Sequence, residues 1–361
     1  MNATEMLSKI TNRGASDIFI VAGLPLSYKI SNKFYSDSDD KMMPSDTTAM
    51  IEQIYELAGK RNIEKLNTNG DDDFSFAISG IARFRINAYK QRGSLSAVIR
   101  VINFDIPKAE DLNFSPEMIK TLHSLSDLKK GMVLITGPAG SGKSTTLACM
   151  IDHINSTRQS HIITLEDPLE YLHIHKKSIV SQREIVTDTE SYISALRASL
   201  RQSPDVILLG EMRDYETISV AMTAAETGHL MLSTLHTIGA SNTIDRIIDA
   251  FPPNQQHQIA VQLSMVLQAV ISQQLVPTVD GKLVPVFEVM LLNPAIKTMI
   301  RESKIHQIDG VISQSRGEGM ITMDASLLDL VQRGIISEST AIEFAQDSDM
   351  LQKRIRATMA K

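Results

Sequence analysis

One stretch of eight residues decides the fold, Gly137-Pro138-Ala139-Gly140-Ser141-Gly142-Lys143-Ser144. It matches G-x-x-x-x-G-K-[S/T], the pattern of a phosphate-binding loop. Residues 132–136, directly before it, are apolar and partly β-branched, which predicts a buried strand. Residues 145–155 lack Gly and Pro and carry apolar side chains at helical spacing, which predicts a helix. The loop therefore lies between a strand and a helix, as the motif requires.

The residue types of this loop suit the binding of nucleotide phosphates. Its glycines let backbone N–H groups point at phosphate oxygens, and the N-terminus of the next helix adds partial positive charge. The Lys143 ammonium would reach the β- and γ-phosphates, and the Ser144 hydroxyl would hold Mg²⁺. The expected nucleotide-binding residues are Pro138, Ala139, Gly140, Ser141, Gly142, Lys143, Ser144 and Thr145.

Composition limits the class of protein. A chain of 361 residues suggests two or three domains, and its 43% apolar and 22% charged residues are ordinary for a globular protein. The net charge of −6 argues against a duplex DNA-binding protein. Its one cysteine, Cys149, excludes a disulfide framework or a cysteine-ligated zinc site within one chain. We expect a cytoplasmic protein, because no apolar run approaches bilayer length and the N-terminus lacks the apolar region of a signal peptide.

Residues 1–103 predict a small α+β domain. Its expected elements are helices at 2–12 and 45–60, the second with Ser45 or Asp46 as its N-cap, and strands at 15–21, 74–78, 81–89 and 95–102. Alternation places Arg83 and Arg85 on one face of their strand, and Arg100 lies opposite the apolar face of the next. Such arginines are either simply solvated or reach towards a nucleotide held by another domain or subunit. A linker is expected at 104–114.

From residue 115 the pattern becomes an alternation of helices and apolar strands, which predicts a parallel sheet covered on both faces. Three predicted strands end next to polar residues: Glu166, Glu211 and His236. Ligands of such sheets bind outside the carboxyl ends of the strands. The loop and these three side chains should therefore meet at one edge.

Chemical roles follow from that position, with simpler alternatives open. Glu211 stands near the place where phosphate-loop enzymes keep an acidic partner for Mg²⁺, and Glu166 could polarise the attacking water as general base. Each carboxylate could instead cap a helix or form a salt bridge. His229 and His236 could contact the γ-phosphate, or each could be a hydrogen-bonded structural histidine. Residues 239–361 are expected to be mainly helical, including an apolar stretch at 259–275, with a strand-like run at 283–292.

Several longer motifs resemble those of the type II/IV secretion ATPase superfamily, and within it the type IV pilus retraction (twitching motility, PilT-like) ATPases. Besides the Walker A loop, two of these motifs lie in the first domain, at residues 14–17 and at residues 83–87 with 91–93. The others are an aspartate box at 164–171 continued by 182–184, an atypical Walker B at 204–214, and a histidine box at 226–237. Downstream, 245–249 and 251–253 also fit, and 295–299 loosely resembles a retraction-specific signature. The resemblance covers essentially the whole chain.

The resemblance implies an N-terminal PAS-like α+β domain followed by a RecA-like P-loop ATPase domain with a helical C-terminal region. The implied boundaries are 1–103, a linker at 104–114, an ATPase core at 115–280 and a mainly helical region at 281–361. It also implies a homo-hexamer that hydrolyses ATP with Mg²⁺, with Glu166 as the catalytic base and Glu211 as the Walker B acid. Arg85 and Arg100 would act as arginine fingers on the nucleotide.

The implied function is pilus retraction at the inner face of the cytoplasmic membrane, through an inner-membrane platform protein, without direct nucleic-acid binding. Paralogous pilus ATPases are further expected partners. Three alternatives stay open: a pilus assembly or type II secretion ATPase, a weakly hydrolysing accessory subunit, and a DNA translocase. Assembly relatives usually carry a four-cysteine zinc site, which this chain lacks. A further departure lies at Val186-Thr187-Asp188, where a Gly is often found.

Overall fold

The computed structural model describes residues 2–30, 33–102 and 106–359. The chain divides into two compact units: Met1–Asp105 with Glu170–Leu172, and Ile106–Leu169 with His173–Lys361. Residues 103–105, where the predicted first domain ends and the linker begins, lie outside the described residues. The two units contain sheets of different kinds.

The described part of the first unit consists of α1 (Ala3–Thr11), β1 (Asp17–Ile20), β2 (Pro25–Ile30), β3 (Lys33–Lys41), α2 (Pro44–Leu57), α3 (Glu64–Asn69), β4 (Asp71–Ile78), β5 (Ala82–Gln91) and β6 (Ser94–Ile102). The strands form an antiparallel sheet in the order β3-β2-β1-β6-β5-β4. Alternate strand residues such as Phe84, Ile86 and Ile99 pack with apolar residues of the helices, including Leu7 and Ile54, in one core. The predicted α+β class is confirmed.

The predicted start of the second helix needs correction. The helix begins at Pro44 with Met43 as its N-cap, and Asp46 accepts a hydrogen bond from the Met43 backbone N–H at 2.7 Å. A proline suits the first position of a helix, because its fixed φ is helical and its missing N–H would have no partner there. Neither Ser45 nor Asp46 is therefore the N-cap.

The second unit alternates helices and strands: α4 (Pro116–Ser126), β7 (Gly131–Thr136), α5 (Lys143–Thr157), β8 (His161–Glu166), β9 (Ile179–Glu184), α6 (Tyr192–Ser199), β10 (Val206–Leu209), α7 (Tyr215–Glu226), β11 (Leu230–Leu235), α8 (Ala240–Asp249), α9 (Pro253–Val266), β12 (Leu267–Pro277), β13 (Leu283–Leu291), α10 (Pro294–Arg301), α11 (Ile308–Gln314), α12 (Met323–Gln332), α13 (Glu338–Phe344) and α14 (Ser348–Met359). Its sheet has the order β13-β12-β7-β11-β10-β8-β9. All neighbouring strands are parallel except β12 and β13.

Both faces of this sheet are buried, as the uninterrupted apolar strands predict. Along β7, Met132 and Leu134 pack in a cluster with residues of α6 to α9, whereas Val133 and Ile135 pack with residues of α4 and α5. Each such side chain contributes about 1.5–3 kcal/mol when fully buried. The predicted parallel arrangement is confirmed for six of the seven strands.

The prediction of a helix across residues 259–275 is wrong. Helix α9 ends at Val266, and β12 begins at Leu267 and pairs with both β7 and β13. Polar residues such as Gln268 and Gln273 interrupt the apolar stretch without a period of two, so periodicity could not separate a buried helix from a strand buried on both faces. Because β13 pairs with β12, the sheet extends beyond residue 280. Helices α12 to α14 pack in a further cluster with Val276, Val284 and Val286 of these two strands.

Candidate active site

The phosphate loop lies between β7 and α5, and close packing requires glycine at one of its positions. Gly137 has φ +140°, and a Cβ there would stand 2.1 Å from the Gln273 backbone carbonyl oxygen, which excludes any side chain unless the loop moves. At Gly142 the nearest atom to a Cβ is Nε2 at the end of the Gln273 side chain, so it is the positive φ of +87° that favours glycine there. Strand β12, which sequence reasoning missed, therefore shapes the loop.

Lys143 points into the loop from the first turn of α5. Its side chain is buried, and Nζ donates to the carbonyl oxygens of Gly137 and Pro138, each at 2.8 Å. Ser144 and Thr145 are half-buried in the same turn, which contains no acidic residue. The amino end of a 15-residue helix thus faces the loop, an arrangement that favours a bound anion.

The parallel register brings the predicted polar residues to the same sheet edge. Strand β11 lies between β7 and β10, and β8 lies next to β10. Thr136, which precedes the loop, pairs with Leu235, which precedes His236. Leu209, the last residue of β10, pairs with Leu165 of β8. Gly210-Glu211, directly after β10, therefore lies next to Glu166, the last residue of β8. The loop, His236, Glu211 and Glu166 therefore succeed one another along one edge, spaced by about 4.8 Å per strand at the backbone.

Glu211 is a buried carboxylate at this edge. One carboxylate oxygen lies 2.5 Å from a guanidinium nitrogen of Arg213, and the other lies 3.5 Å from His236 Nε2. The hydrogen bond to Glu211 raises the pKa of the exposed Arg213 above its usual range. The backbone on both sides of Glu211 is also held, since Gly210 O accepts from Thr234 Oγ1 and Met212 N donates to Thr234 O. The carboxylate is thus fixed in place.

Tyr192, at the start of α6, also belongs to this group but was not predicted. Its hydroxyl would lie 2.8 Å from a Cβ built on Gly210. Burial, and then the nearby carboxylates of Glu211, Asp167 and Glu166, raise the pKa of its phenol. Nothing in the local sequence distinguishes this tyrosine from a core aromatic, because only the folded sheet brings α6 to the end of β10.

The oxygen donors at this edge fit Mg²⁺ held mainly by a nucleotide. Among residues 2–30, 33–102 and 106–359, no group of three or more His, Cys, Asp and Glu side chains is placed to hold a metal ion. Mg²⁺ keeps several waters and needs only one or two protein oxygens beside substrate phosphates. The Ser144 hydroxyl and the Glu211 carboxylate, which follow β7 and β10, are oxygens of this kind.

His229 lies away from this group within the chain. It precedes β11, at the opposite end of the strand from His236, so an extended strand separates the two by roughly 20 Å. Its Nδ1 is 2.9 Å from the Ala224 carbonyl oxygen, and its own carbonyl accepts from Gly131 N. These contacts match the structural alternative for His229.

The two predicted arginines lie in the first unit, whereas the loop belongs to the second. Arg85 of β5 and Arg100 of β6 are direct cross-strand partners, and Arg100 is also opposite Asp17 of β1. Arg100 Nε donates to Asp17 Oδ1 at 3.2 Å, yet the Arg100 side chain remains 67% exposed. Like charges directly opposite each other cost stability, so such a pair favours an anion that contacts both.

Comparison with known proteins decides the family. The family model described as type II/IV secretion system protein matches residues 2–358. The chain belongs to this family. The type IV pilus retraction ATPase PilT of Pseudomonas aeruginosa is 42% identical over 349 residues, covering 96% of this chain and 98% of that protein. The type IV pilus ATPase PilU of the same organism is 38% identical over 357 residues, covering 99% and 92%.

A solved structure of a related protein supports the same family and fold. The crystal structure of the pilus retraction motor PilT with bound ADP superposes with a TM-score of 0.89 at 43% identity, covering 98% of this chain and 99% of that one. The chain is therefore a nucleotide-binding P-loop ATPase with the PilT-like fold. None of the helices that the structure describes has the length and apolar composition of a bilayer-spanning segment.

Proposed function

We propose that this secretion-family ATPase is a homo-hexameric motor that hydrolyses ATP with Mg²⁺ to power retraction of type IV pili. The observation that carries the proposal is the succession of the phosphate loop, His236, Glu211 and Glu166 along one sheet edge. A nucleotide bound at the loop would have its γ-phosphate beside two carboxylates. That is the arrangement a hydrolase needs and a passive nucleotide-binding subunit does not.

The loop residues would position the phosphates. Lys143 would exchange its two carbonyl acceptors for β- and γ-phosphate oxygens, and the N–H groups of the first turn of α5 would bind the remaining phosphate oxygens. Ser144 and Glu211 would hold Mg²⁺, which supplies charge neutralisation on the β- and γ-phosphates. Arg213 and His236 keep the Glu211 carboxylate oriented.

Glu166 would act on the attacking water. Its carboxylate accepts a proton from water as the oxygen attacks the γ-phosphorus and the bond to the β-phosphate oxygen breaks. The product phosphate then carries the new P–O bond. Tyr192 lies close enough to the same carboxylates for their charge to raise the pKa of its phenol.

Arg85 and Arg100 would complete the site from another domain or a neighbouring subunit. Their direct opposition on β5 and β6 supports this role, because two guanidinium groups side by side gain most from a shared anion such as the transferring phosphoryl group. Closing the first unit on the nucleotide and opening it again would convert hydrolysis into rotation of that unit, which acts on an inner-membrane platform protein from the cytoplasmic side.

The accessory role is the second candidate, since the pilus ATPase PilU covers 99% of this chain at 38% identity, beside 96% at 42% identity for PilT. Deleting the gene distinguishes the two and also the assembly role. Excess surface pili with loss of twitching is the result expected for a retraction motor. Loss of pili would contradict it, and so would full motility restored by the Glu166→Gln protein, which an accessory subunit permits.

A further inference from the structure

Glu288, on β13, is a buried carboxylate outside the phosphate loop and the group formed by Glu166, Glu211 and His236. Its side chain is 1% exposed, and it lies opposite Ser272 of β12 in the strand register. A carboxylate so far from water is costly unless hydrogen-bond donors surround it. Burial does raise its pKa above the ordinary range, while backbone N–H groups of Ala240 and Met323 oppose that shift.

The donors to Glu288 come from the first residues of two helices. Oε1 accepts from Ala240 N, at the start of α8, at 2.7 Å, and Oε2 accepts from Met323 N, at the start of α12, at 3.4 Å. Helix N-termini carry partial positive charge and unpaired N–H groups, so one carboxylate satisfies both. Glu288 is thus a cap shared by two helices that are far apart in the chain.

The α8 side of this cap anchors the segment that carries His236. Only Thr237, Ile238 and Gly239 separate His236 from Ala240. Gly239 N donates to Ser272 Oγ at 3.0 Å, next to the Ala240–Glu288 bond. The backbone N–H groups of Gly239 and Ala240, shortly after His236, therefore donate hydrogen bonds to side chains of β12 and β13. His236 in turn lies 3.5 Å from Glu211.

The α12 side of the cap reaches the C-terminal helices. Gln346, between α13 and α14, lies beside Gly239, and its side-chain amide acts to lower the pKa of Glu288. Asp324 of α12 accepts from the backbone N–H groups of Gln346 and Asp347. Gln346 therefore lies beside the segment that follows His236, and its backbone is held by α12 just before α14 begins.

We propose that Glu288 is a positioning residue: it holds the His236 segment against Glu211 and ties that segment to helices α12 to α14. The proposal rests on the proposed catalytic edge. A movement of α12 or of the α13–α14 connection would be transmitted to His236 through one carboxylate, so the C-terminal helices can adjust turnover without contacting nucleotide.

The test is Glu288→Gln in the full-length assembled protein, beside Glu302→Gln as control. Gln keeps the shape and one acceptor, but its NH₂ group cannot accept from the second helix N-terminus. Glu302 is an exposed glutamate directly after α10 that pairs with Lys304. We expect faster amide hydrogen exchange in peptides covering 236–242 and 322–327, and a kcat lowered by about tenfold with KM for ATP nearly unchanged.

A double-mutant cycle with His236→Ala separates positioning from simple stabilisation. If Glu288 acts through His236, Glu288→Gln costs much less kcat in the His236→Ala background than in wild type. An equal loss in both backgrounds, unchanged exchange in the two peptides, or a wild-type kcat would overturn the proposal. Failure of the catalytic edge itself is distinguishable, because then Glu166→Gln would leave hydrolysis intact as well.

Discussion

Arg85 and Arg100 face each other directly across β5 and β6, on the sheet face that is opposite the apolar core of the first unit. Only one of them has an acidic neighbour in register, since Asp17 pairs with Arg100. The pair thus concentrates positive charge that local ion pairs leave only partly balanced. Two like charges placed directly opposite each other do not stabilise a sheet, and the proposed contact with nucleotide phosphates would offset their repulsion.

We expect Arg85→Ala and Arg100→Ala each to lower kcat by about a hundredfold or more, as loss of a transition-state arginine does. Nucleotide affinity should change little. The free energy of unfolding should rise slightly in Arg85→Ala, because the repulsion is removed, and change little in Arg100→Ala, which also loses the ion pair with Asp17. Steady-state hydrolysis and equilibrium denaturation measure the two quantities. Lys41→Ala, an exposed basic residue at the end of β3, is the matched control. Retained kcat in both arginine variants would contradict the role.

The two glycines Gly137 and Gly140 should respond differently to alanine. A Cβ on Gly137 would meet the Gln273 carbonyl oxygen at 2.1 Å, whereas a Cβ on Gly140, at φ +76°, meets nothing within 4 Å. Gly137→Ala should therefore abolish nucleotide binding, while Gly140→Ala should weaken it by only the cost of a positive φ, about 1–2 kcal/mol. Calorimetric titration with ADP compares them. Equal affinities would show that the loop can move away from β12.

Acid should destabilise the second unit through His173. Burial lowers the pKa of His173 to about 4, and its Nδ1 makes no hydrogen bond with the described residues. The folded state keeps this ring neutral, whereas in the unfolded chain it binds a proton as the pH falls below about 6.5. Between about pH 6.5 and 4 this difference lowers the free energy of unfolding by up to about 3 kcal/mol. Stability therefore falls as the pH falls through this range.

His173→Gln should make the free energy of unfolding less steep between pH 6.5 and 4, since it removes the group that titrates. His257→Gln, at an exposed position of α9, is the control and should keep the wild-type slope. Chemical denaturation at a series of pH values gives both slopes. The same slope in wild type and His173→Gln would exclude this histidine as the acid-sensitive group.

Val186 is strained, and glycine should relieve the strain. It has φ +70°, is 83% exposed, and its N–H donates to Thr189 O at 2.7 Å in the loop between β9 and α6. A β-branched residue is strongly disfavoured at positive φ. Val186→Gly should stabilise the protein by about 1 kcal/mol after the greater chain entropy of glycine is subtracted. Val186→Ala keeps a Cβ and should gain less; a destabilised glycine variant would rule out strain.

The candidate edge was predictable because its signals are local or topological. The phosphate loop is a contiguous motif, and Glu166, Glu211 and His236 each follow an apolar strand whose carboxyl end a parallel sheet brings to one edge. Their order along the edge was not predictable, since it depends on strand order. Tyr192 and Glu288 were missed for the same reason: their partners come from elements far away in the chain.

Two of the missed strands, β3 and β12, lack the sequence signal of a strand for different physical reasons. β3 has a polar, acidic sequence with little strand propensity, and its pairing with β2 alone makes it a strand. β12 is buried on both faces and carries polar residues on both, so its sequence shows no period of two. Alternation placed Arg85 and Arg100 away from the apolar faces of their strands, but only the register of the β5–β6 hairpin places them opposite each other.

The most direct measurement is ATP turnover of the assembled protein beside Glu166→Gln and Lys143→Ala, with nucleotide affinity measured in parallel. We expect Glu166→Gln to bind ATP as wild type does while kcat falls by about 10²–10⁴, the usual contribution of a general base. Lys143→Ala should lose binding as well. Wild-type turnover by Glu166→Gln, or turnover of the wild type no higher than that of Lys143→Ala, would contradict hydrolysis at this sheet edge.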